Sequence, residues 1–313
     1  MCEGWGGAVG TDLQVCPGSP SGRQWTNLKV CPYCRVFEGI FEGKLRQIIL
    51  YFFIVIFTMA GCSLAVKEVR SPSPPEGMVY IPEGWFLMGS NEEDGRLGMA
   101  VGVDEIPQHK VWLKGFYIDR HEVSVGEFRE FMLSANRKVP RIWRVKEYID
   151  LYPEPKDNHP MSGITWYDAD DYCRWVGKRL PAEAEWEKAA RGTDARQFPW
   201  GNEPGVSGNI MRANTLDAAI DWTMPEGSYP EGLSPYGVHD MAGNVMEWTS
   251  SWYQPYPGSD LKREAFGEKY KVMKGGSWEN PAVPFARTAH RHVVDPIWDH
   301  PGHGFRCVVD GMR

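Results

Sequence analysis

Residues 165–192 read TWYDADDYCRWVGKRLPAEAEWEKAARG, and this stretch decides the class of fold. Thr165 and Asp168 stand at the spacing of a capping box, in which a hydroxyl and a carboxylate each satisfy a backbone N–H that a helix start leaves unpaired. Ala169, Tyr172, Cys173 and Val176 then recur at i, i+3, i+4 and i+7, laying one apolar stripe along a helix, and Gly177 supplies the stop. Pro181 is expected at the first position of the next helix, where its missing N–H costs nothing. That helix runs through Glu187 and ends at Gly192.

Working outward, Ser124 and Glu127 form a second capping box, with Phe128, Phe131 and Met132 on one face, so a helix is predicted to about Ser134. Met78 to Met88 gives two short alternating stretches around Pro82-Glu83-Gly84, a hairpin-like pattern. Val111 to Ile118 reads as another strand pair around Lys114-Gly115. Beyond Gly192 the chain is mostly turns, with short aromatic strands at Glu247 to Trp252 and Lys271 to Trp278. Fourteen Trp, 34 Gly and 24 Pro suit an irregular backbone pinned by large aromatic anchors, so the expected class is α+β, loop-rich and low in regular structure. The net charge of −7, without a long Lys/Arg run, excludes the basic face that nucleic acid demands.

The N-terminal part follows a different logic. Lys44 to Cys62 reads KLRQIILYFFIVIFTMAGC: two positive charges, an apolar run from Ile48, then Ala60 and Gly61 before Cys62, the three parts of a secretory signal. The apolar run is shorter than the roughly 20 residues of a spanning helix. Its ending, Met59-Ala60-Gly61-Cys62, resembles the bacterial lipobox, which implies cleavage before Cys62 and a diacylglycerol on its sulfur; an ordinary signal peptide or an uncleaved anchor is the alternative. The expected organisation is a 1–43 extension arising from a start site placed too early, a signal peptide at 44–61, a lipidated, Pro/Ser-rich linker at 62–76 and a single domain at 77–313. The Cys31-Pro32-Tyr33-Cys34 spacing is that of a redox dithiol, but no thioredoxin-like strand and helix pattern surrounds it.

Within the domain, Trp166-Tyr167-Asp168-Ala169, Tyr172-Cys173 and Gly177 to Glu187 resemble the central signature of the formylglycine-generating enzyme (sulfatase-modifying factor) family. Phe198-Pro199-Trp200-Gly201-Asn202, Met241 to Trp248, Lys274 to Trp278 and Gly304-Phe305-Arg306-Cys307 match its later blocks in order, so the resemblance covers essentially Gly77 to Asp310. It implies a fold similar to a C-type lectin domain, stapled by calcium and often by a disulfide. Asp240, Gly243, Val245 and Glu247 occupy the positions of a family calcium site, and Asn214 with Asp221 match a second one weakly. A hard cation wants carboxylate and backbone oxygens; the alternative is a metal-free turn in which Asp240 and Glu247 accept backbone N–H groups. Cys173 and Cys307 match positions that form a disulfide, fitting an oxidising compartment.

One departure bears on function. The enzymes bind Cu(I) through two cysteines after the Gly-Gly-Ser block, positions read here as Phe285 and His290, and soft thiolates are what Cu(I) requires. Formylglycine generation, and copper with it, is therefore not expected. His290, His292, His300 and His303 cluster nearby; His290 and His292 can face one way on a strand and ligate a metal, or all four can bond loop backbone and solvent. His109 and His121 read as structural, and Trp143, Trp222, Trp252 and Trp298 as core anchors or cleft walls. The expectation is a non-catalytic binding or scaffold lipoprotein that faces the periplasm or cell surface. It would sit on the outer membrane of a two-membrane bacterium and hold a peptide, glycan or protein. The alternative is an enzyme, either a formylglycine-type oxidase or an oxidoreductase using His290 and His292.

Overall fold

The computed structural model describes residues 74–311 apart from 97, 154–155 and 208–209, so the Cys31/Cys34 pair, the export segment and Cys62 lie outside the described residues. The described residues fall within one unit, Arg70–Arg313. The regular elements that frame it are short: β1 (Met78–Ile81), β2 (Gly84–Met88), β3 (His109–Leu113), β4 (Phe116–Asp119), α1 (Val125–Ser134), α2 (Trp166–Trp175), α3 (Glu183–Arg191), β5 (Met246–Trp252), β6 (Lys271–Lys274), β7 (His292–Val294), β8 (His303–Gly304) and β9 (Val308–Asp310), with single-turn helices and a two-residue strand pair between them. This is the expected mixture of helix and sheet with modest regular structure. No helix among the described residues is long and apolar enough to cross a membrane.

The two expected local hairpins are not formed. β1 pairs with β4 and β2 with β3, both antiparallel. Ile81 faces Phe116 and Gly84 faces Leu113, so the register continues across the gap and the four strands make one long interrupted ribbon. Pro82 has no N–H for the ladder, Gly84 turns through φ +133°, and Gly115 lies under the end of the Tyr80 side chain, which a Cβ would displace. The carbonyls of Pro82 and Gly84 at the break are taken instead by Lys188 Nζ of α3, at 2.6 and 3.0 Å. β9 adds to β4, giving a three-stranded sheet, and a second sheet has the order β8-β5-β6-β7 with β8 parallel to β5.

α1 and α2 carry both predicted capping boxes: Ser124 Oγ accepts the Glu127 N–H at 3.2 Å, and Thr165 Oγ1 accepts that of Asp168 at 3.2 Å. Pro181 lies outside α3 and not at its first turn. Ala182 is the N-cap residue, its N–H bound by the Glu185 carboxylate at 2.8 Å, while the Pro181 carbonyl accepts the Ser250 N–H. Gly192, at φ +71°, ends α3 as expected. The strand predicted over Lys271 to Trp278 stops at Lys274, because Gly275 and Gly276 take φ +96° and +69°.

The larger core joins Phe128, Phe131, Tyr172 and Cys173 of the first two helices to Met246, Trp248 and Met273 of the second sheet and to Phe305, the residue after β8. A smaller one packs Trp186, Ala189 and Ala190 of α3 on Ile81, Phe116, Ile118 and Val308 of the first sheet. Cys173 and Cys307 are disulfide-bonded with Cα atoms 5.7 Å apart, tying α2 to the residue before β9. Among the described residues, four buried carboxylates hold the sheets and helices together through five ion pairs: Glu247 with Arg306, Glu105 with Arg287, Glu183 with Arg291, and Glu187 with both Arg191 and Lys274.

Candidate functional site

Gly275 and Gly276 end β6, an inner strand of the second sheet. A Cβ on Gly276 would come within 3.0 Å of the Phe285 backbone, so the turn depends on glycine twice, by φ and by space. The next residues begin the wall of a cleft of about 400 Å³ lined by Met246, Ser277, Glu279, Asn280, His292, Val293, Val294, Trp298, His300 and His303. Ser277 Oγ donates to Asn280 Oδ1 at 2.7 Å. Glu279 Oε1 lies 3.0 Å from His300 Nδ1, and this contact raises the His300 pKa. A side chain on Gly302 would collide with Glu279 and Ser277, which is why the closing turn is bare.

Burial, then the neighbouring histidines, hold His292 down to about 4 and His303 down to about 3, so both imidazoles are neutral at pH 7. His303 sits against His300 at 5.2 Å and Trp248 at 5.3 Å between ring centres, and its buried Nδ1 has no hydrogen-bond partner. The lining contains no Lys or Arg. Two neutral imidazoles, an imidazole–carboxylate pair, a hydroxyl and an amide can exchange hydrogen bonds with an uncharged polar ligand, while the indole of Trp298, 64% exposed, stands at the rim.

Phe285 packs on the larger core and against His290, with ring centres 5.0 Å apart. His290 turns toward Glu105, Nδ1 to Oε1 3.7 Å. Burial pushes the Glu105 carboxyl up, but His290, Arg287 and Ser90 outweigh it and hold the group below the usual range. His290 and His292 have ring centres 6.4 Å apart, and among the described residues no three His, Cys, Asp or Glu side chains are grouped to hold a metal ion. No cysteine lies between Ser277 and Cys307, so the absence of a thiol pair holds for the whole stretch.

The residues expected around calcium are brought together, with two additions that sequence reading missed. Both Glu247 oxygens accept from Arg306 at 2.7 Å, and Trp186 Nε1 donates to Oε2 at 2.8 Å. Asp240 Oδ2 accepts the Gly227 N–H at 2.7 Å. Gly243 lies against the Asn214 carbonyl with no room for a Cβ, and the Val245 N–H donates to Glu122 Oε1 at 3.1 Å. Asp221, exposed, is not seen in this network. Glu122 is the first addition: burial, then Asp240 and Glu247, drive its carboxyl well above the usual range. Arg306 is the second, since it faces Glu247, Glu122 and Asp240. Asn214 Oδ1 is buried without a partner, and Asp240 is buried beside the acids Glu122 and Glu247, so these are the oxygens of the two expected sites still open to a hard cation. Glu247 is already engaged by Arg306.

An aromatic cleft of about 490 Å³ lies nearby, lined by Arg129, Trp143, Tyr148, Tyr152 and Trp222 among others. Tyr152 stacks on Trp222 at 4.8 Å, and Trp222 meets Trp278, the neighbour of Ser277, at 5.4 Å. Trp143, Trp222 and Trp298 are thus wall residues, whereas Trp252 covers Lys271 Nζ at 3.6 Å. The signal available beforehand was Ser277-Trp278 itself, a polar residue and an aromatic one directly after two glycines.

Residues 65–311 match a family model described as the sulfatase-modifying factor enzyme 1-like domain. The chain is 36% identical over 263 residues to serine/threonine-protein kinase Pkn1 of Chlamydia trachomatis, matching 78% of this chain and only 40% of that protein. It is 32% identical to the formylglycine-generating enzyme of Bos taurus, over 77% of this chain and 76% of that one. Identity to the inactive C-alpha-formylglycine-generating enzyme 2 of Mus musculus is 30%, over 83% and 93% respectively. Among solved structures, PvdO from Pseudomonas aeruginosa is similar at a TM-score of 0.60 and 27% identity, over 74% of this chain and 94% of that one.

Proposed function

The chain belongs to the sulfatase-modifying factor family, and from that premise we propose that it keeps the family's cleft without thiol chemistry, as a binding or scaffold module at the cell envelope. One observation carries the reading. Beyond residue 62 the chain has only two cysteines, Cys173 and Cys307, and they are bonded to each other. No thiolate is left in the domain to ligate Cu(I) or attack a substrate. An inactive relative with 93% of its length matched supports the reading.

The ligand would be a peptide, a glycan or a partner protein, held by the polar cleft around His292, Glu279 and His303 and by the aromatic walls beside it. The lipobox-like ending at Cys62 supports a lipid anchor, which would place the domain on the periplasmic or outer surface of a two-membrane bacterium. Calcium would serve as a structural ion at the turn from Asp240 to Glu247, with Asn214 as the weaker second position. Metal analysis of the purified protein tests this reading: calcium alone is expected. Stoichiometric copper, iron or zinc that is lost on His290→Ala would overturn it in favour of a metal-dependent oxidoreductase.

A further inference from the structure

The ribbon has two faces. Phe86 and Met88 of β2 turn inward and form a buried cluster with Tyr256, against which Val111 and Leu113 of β3 pack. By the twofold alternation of strands, Trp85 and Leu87 face outward on one strand, and Lys110 and Trp112 on the other, with Lys114 next in the same series. Trp85 and Trp112 are directly opposed in the ladder and are 62% and 44% exposed. Lys110 and Lys114 are exposed on either side of Trp112. A cross-strand Trp pair strengthens a ladder. That role does not require both indoles to face water, nor a lysine on each side.

We propose that this face, Trp85 and Trp112 flanked by Lys110 and Lys114, lies on an anionic phospholipid surface. Indoles favour the boundary between headgroup and acyl chain, where an apolar ring and an N–H donor are both satisfied. Lysines beside them meet phosphate, and they do so in a chain whose net charge is −7, so the local sign opposes the overall one. The acidic groups on this side are Glu83, exposed at the ribbon's break, and Glu185 and Asp310, which line a pocket with Trp112 and Lys114 and are both paired with Arg179. The position in the chain agrees. Fifteen residues lie between Cys62 and Met78 at the start of β1, and the sixteen Cα-to-Cα steps fully extended reach about 55 Å, so an anchor at Cys62 keeps the ribbon within range of the bilayer. This last step rests on the proposed anchor; the composition of the face does not.

The test uses the full chain with vesicles of phosphatidylcholine containing phosphatidylglycerol, in which part of the lipid carries brominated acyl chains that quench indoles at the interface. The wild-type protein is expected to float with the vesicles and show quenching that falls at least twofold in W85F/W112F. K110Q/K114Q is expected to lower the docked-to-undocked ratio on the order of thirtyfold, and only on vesicles containing phosphatidylglycerol. All four side chains are exposed, so unchanged circular dichroism in the variants is the control for folding. Equal quenching in wild type and W85F/W112F, or no vesicle association, overturns the proposal. So does a wild-type dimer by sedimentation that W85F/W112F loses, which would assign the face to a second copy. Mass analysis for lipid on Cys62 tests the anchor separately, so the two ideas fail by different readouts.

Discussion

Reducing the Cys173–Cys307 bond is the perturbation whose size can be worked out most fully. The cysteines are 134 residues apart, and the chain-entropy model for a loop of that size gives about 5 kcal/mol of stabilisation through restriction of the unfolded chain. Domains are typically stable by about 5–15 kcal/mol in total, so this is a third or more of the whole. Reduction is the cleaner perturbation, because both sulfurs remain in the core, where each cysteine is fully buried between α2 and the second sheet. Denaturant unfolding followed by tryptophan fluorescence should show a loss of about 5 kcal/mol when reductant is added. C173A/C307A should be destabilised without reductant and insensitive to it. If reductant leaves the wild-type midpoint unmoved, or shifts C173A/C307A as much, the cross-link reasoning is wrong.

Three further outcomes follow from buried groups. Burial, then Glu127 and Asp240, push the Glu226 carboxyl up to about 8, so the folded state keeps a proton that the unfolded chain releases above 4.5; this group's stabilisation is complete below about 4.5 and lost as pH rises through about 8, and E226Q should flatten that decline in melting temperature. His292 and His303 titrate the other way: the unfolded chain takes protons below 6.5 that the folded state refuses until about 4 and about 3, so stability falls from about pH 6.5 downward, and H303Q should melt with a shallower acid limb. E247Q leaves the fully buried Arg306 without its bidentate partner and should cost about 3–5 kcal/mol in denaturant unfolding, whereas the exposed pair Lys146–Asp150 can be broken for under about 1 kcal/mol.

The parts of the fold that were legible in the sequence are those whose physics is local. The capping boxes at Ser124 and Thr165 and the glycine stops after α2 and α3 depend on residues three or four apart, and they stand in the structure as read. Strand pairing does not have that property. Nothing near Pro82 reveals that Ile81 faces Phe116, so two local hairpins were expected where one long ribbon exists. The ion pairs are equally remote, with Glu105 meeting Arg287 from 182 residues away. At the site, the histidines were legible as a cluster because they crowd into fourteen residues. Their division was not: His292 and His303 line the cleft, while His290 turns back toward buried Glu105. That division depends on Glu105, which is remote from His290 in the chain and meets it only in the fold. Glu122 was missed because a lone acid before Val123 carries no motif; its meaning comes only from Val245 and Asn244, 123 and 122 residues along.

The central claim is that this domain has kept the family's architecture without its thiol chemistry. Purified protein incubated with a cysteine-containing sulfatase peptide, copper and oxygen, and followed by mass spectrometry of the peptide, tests it most directly. The cysteine is expected to emerge unchanged, with and without copper. Conversion of that cysteine to formylglycine would contradict it.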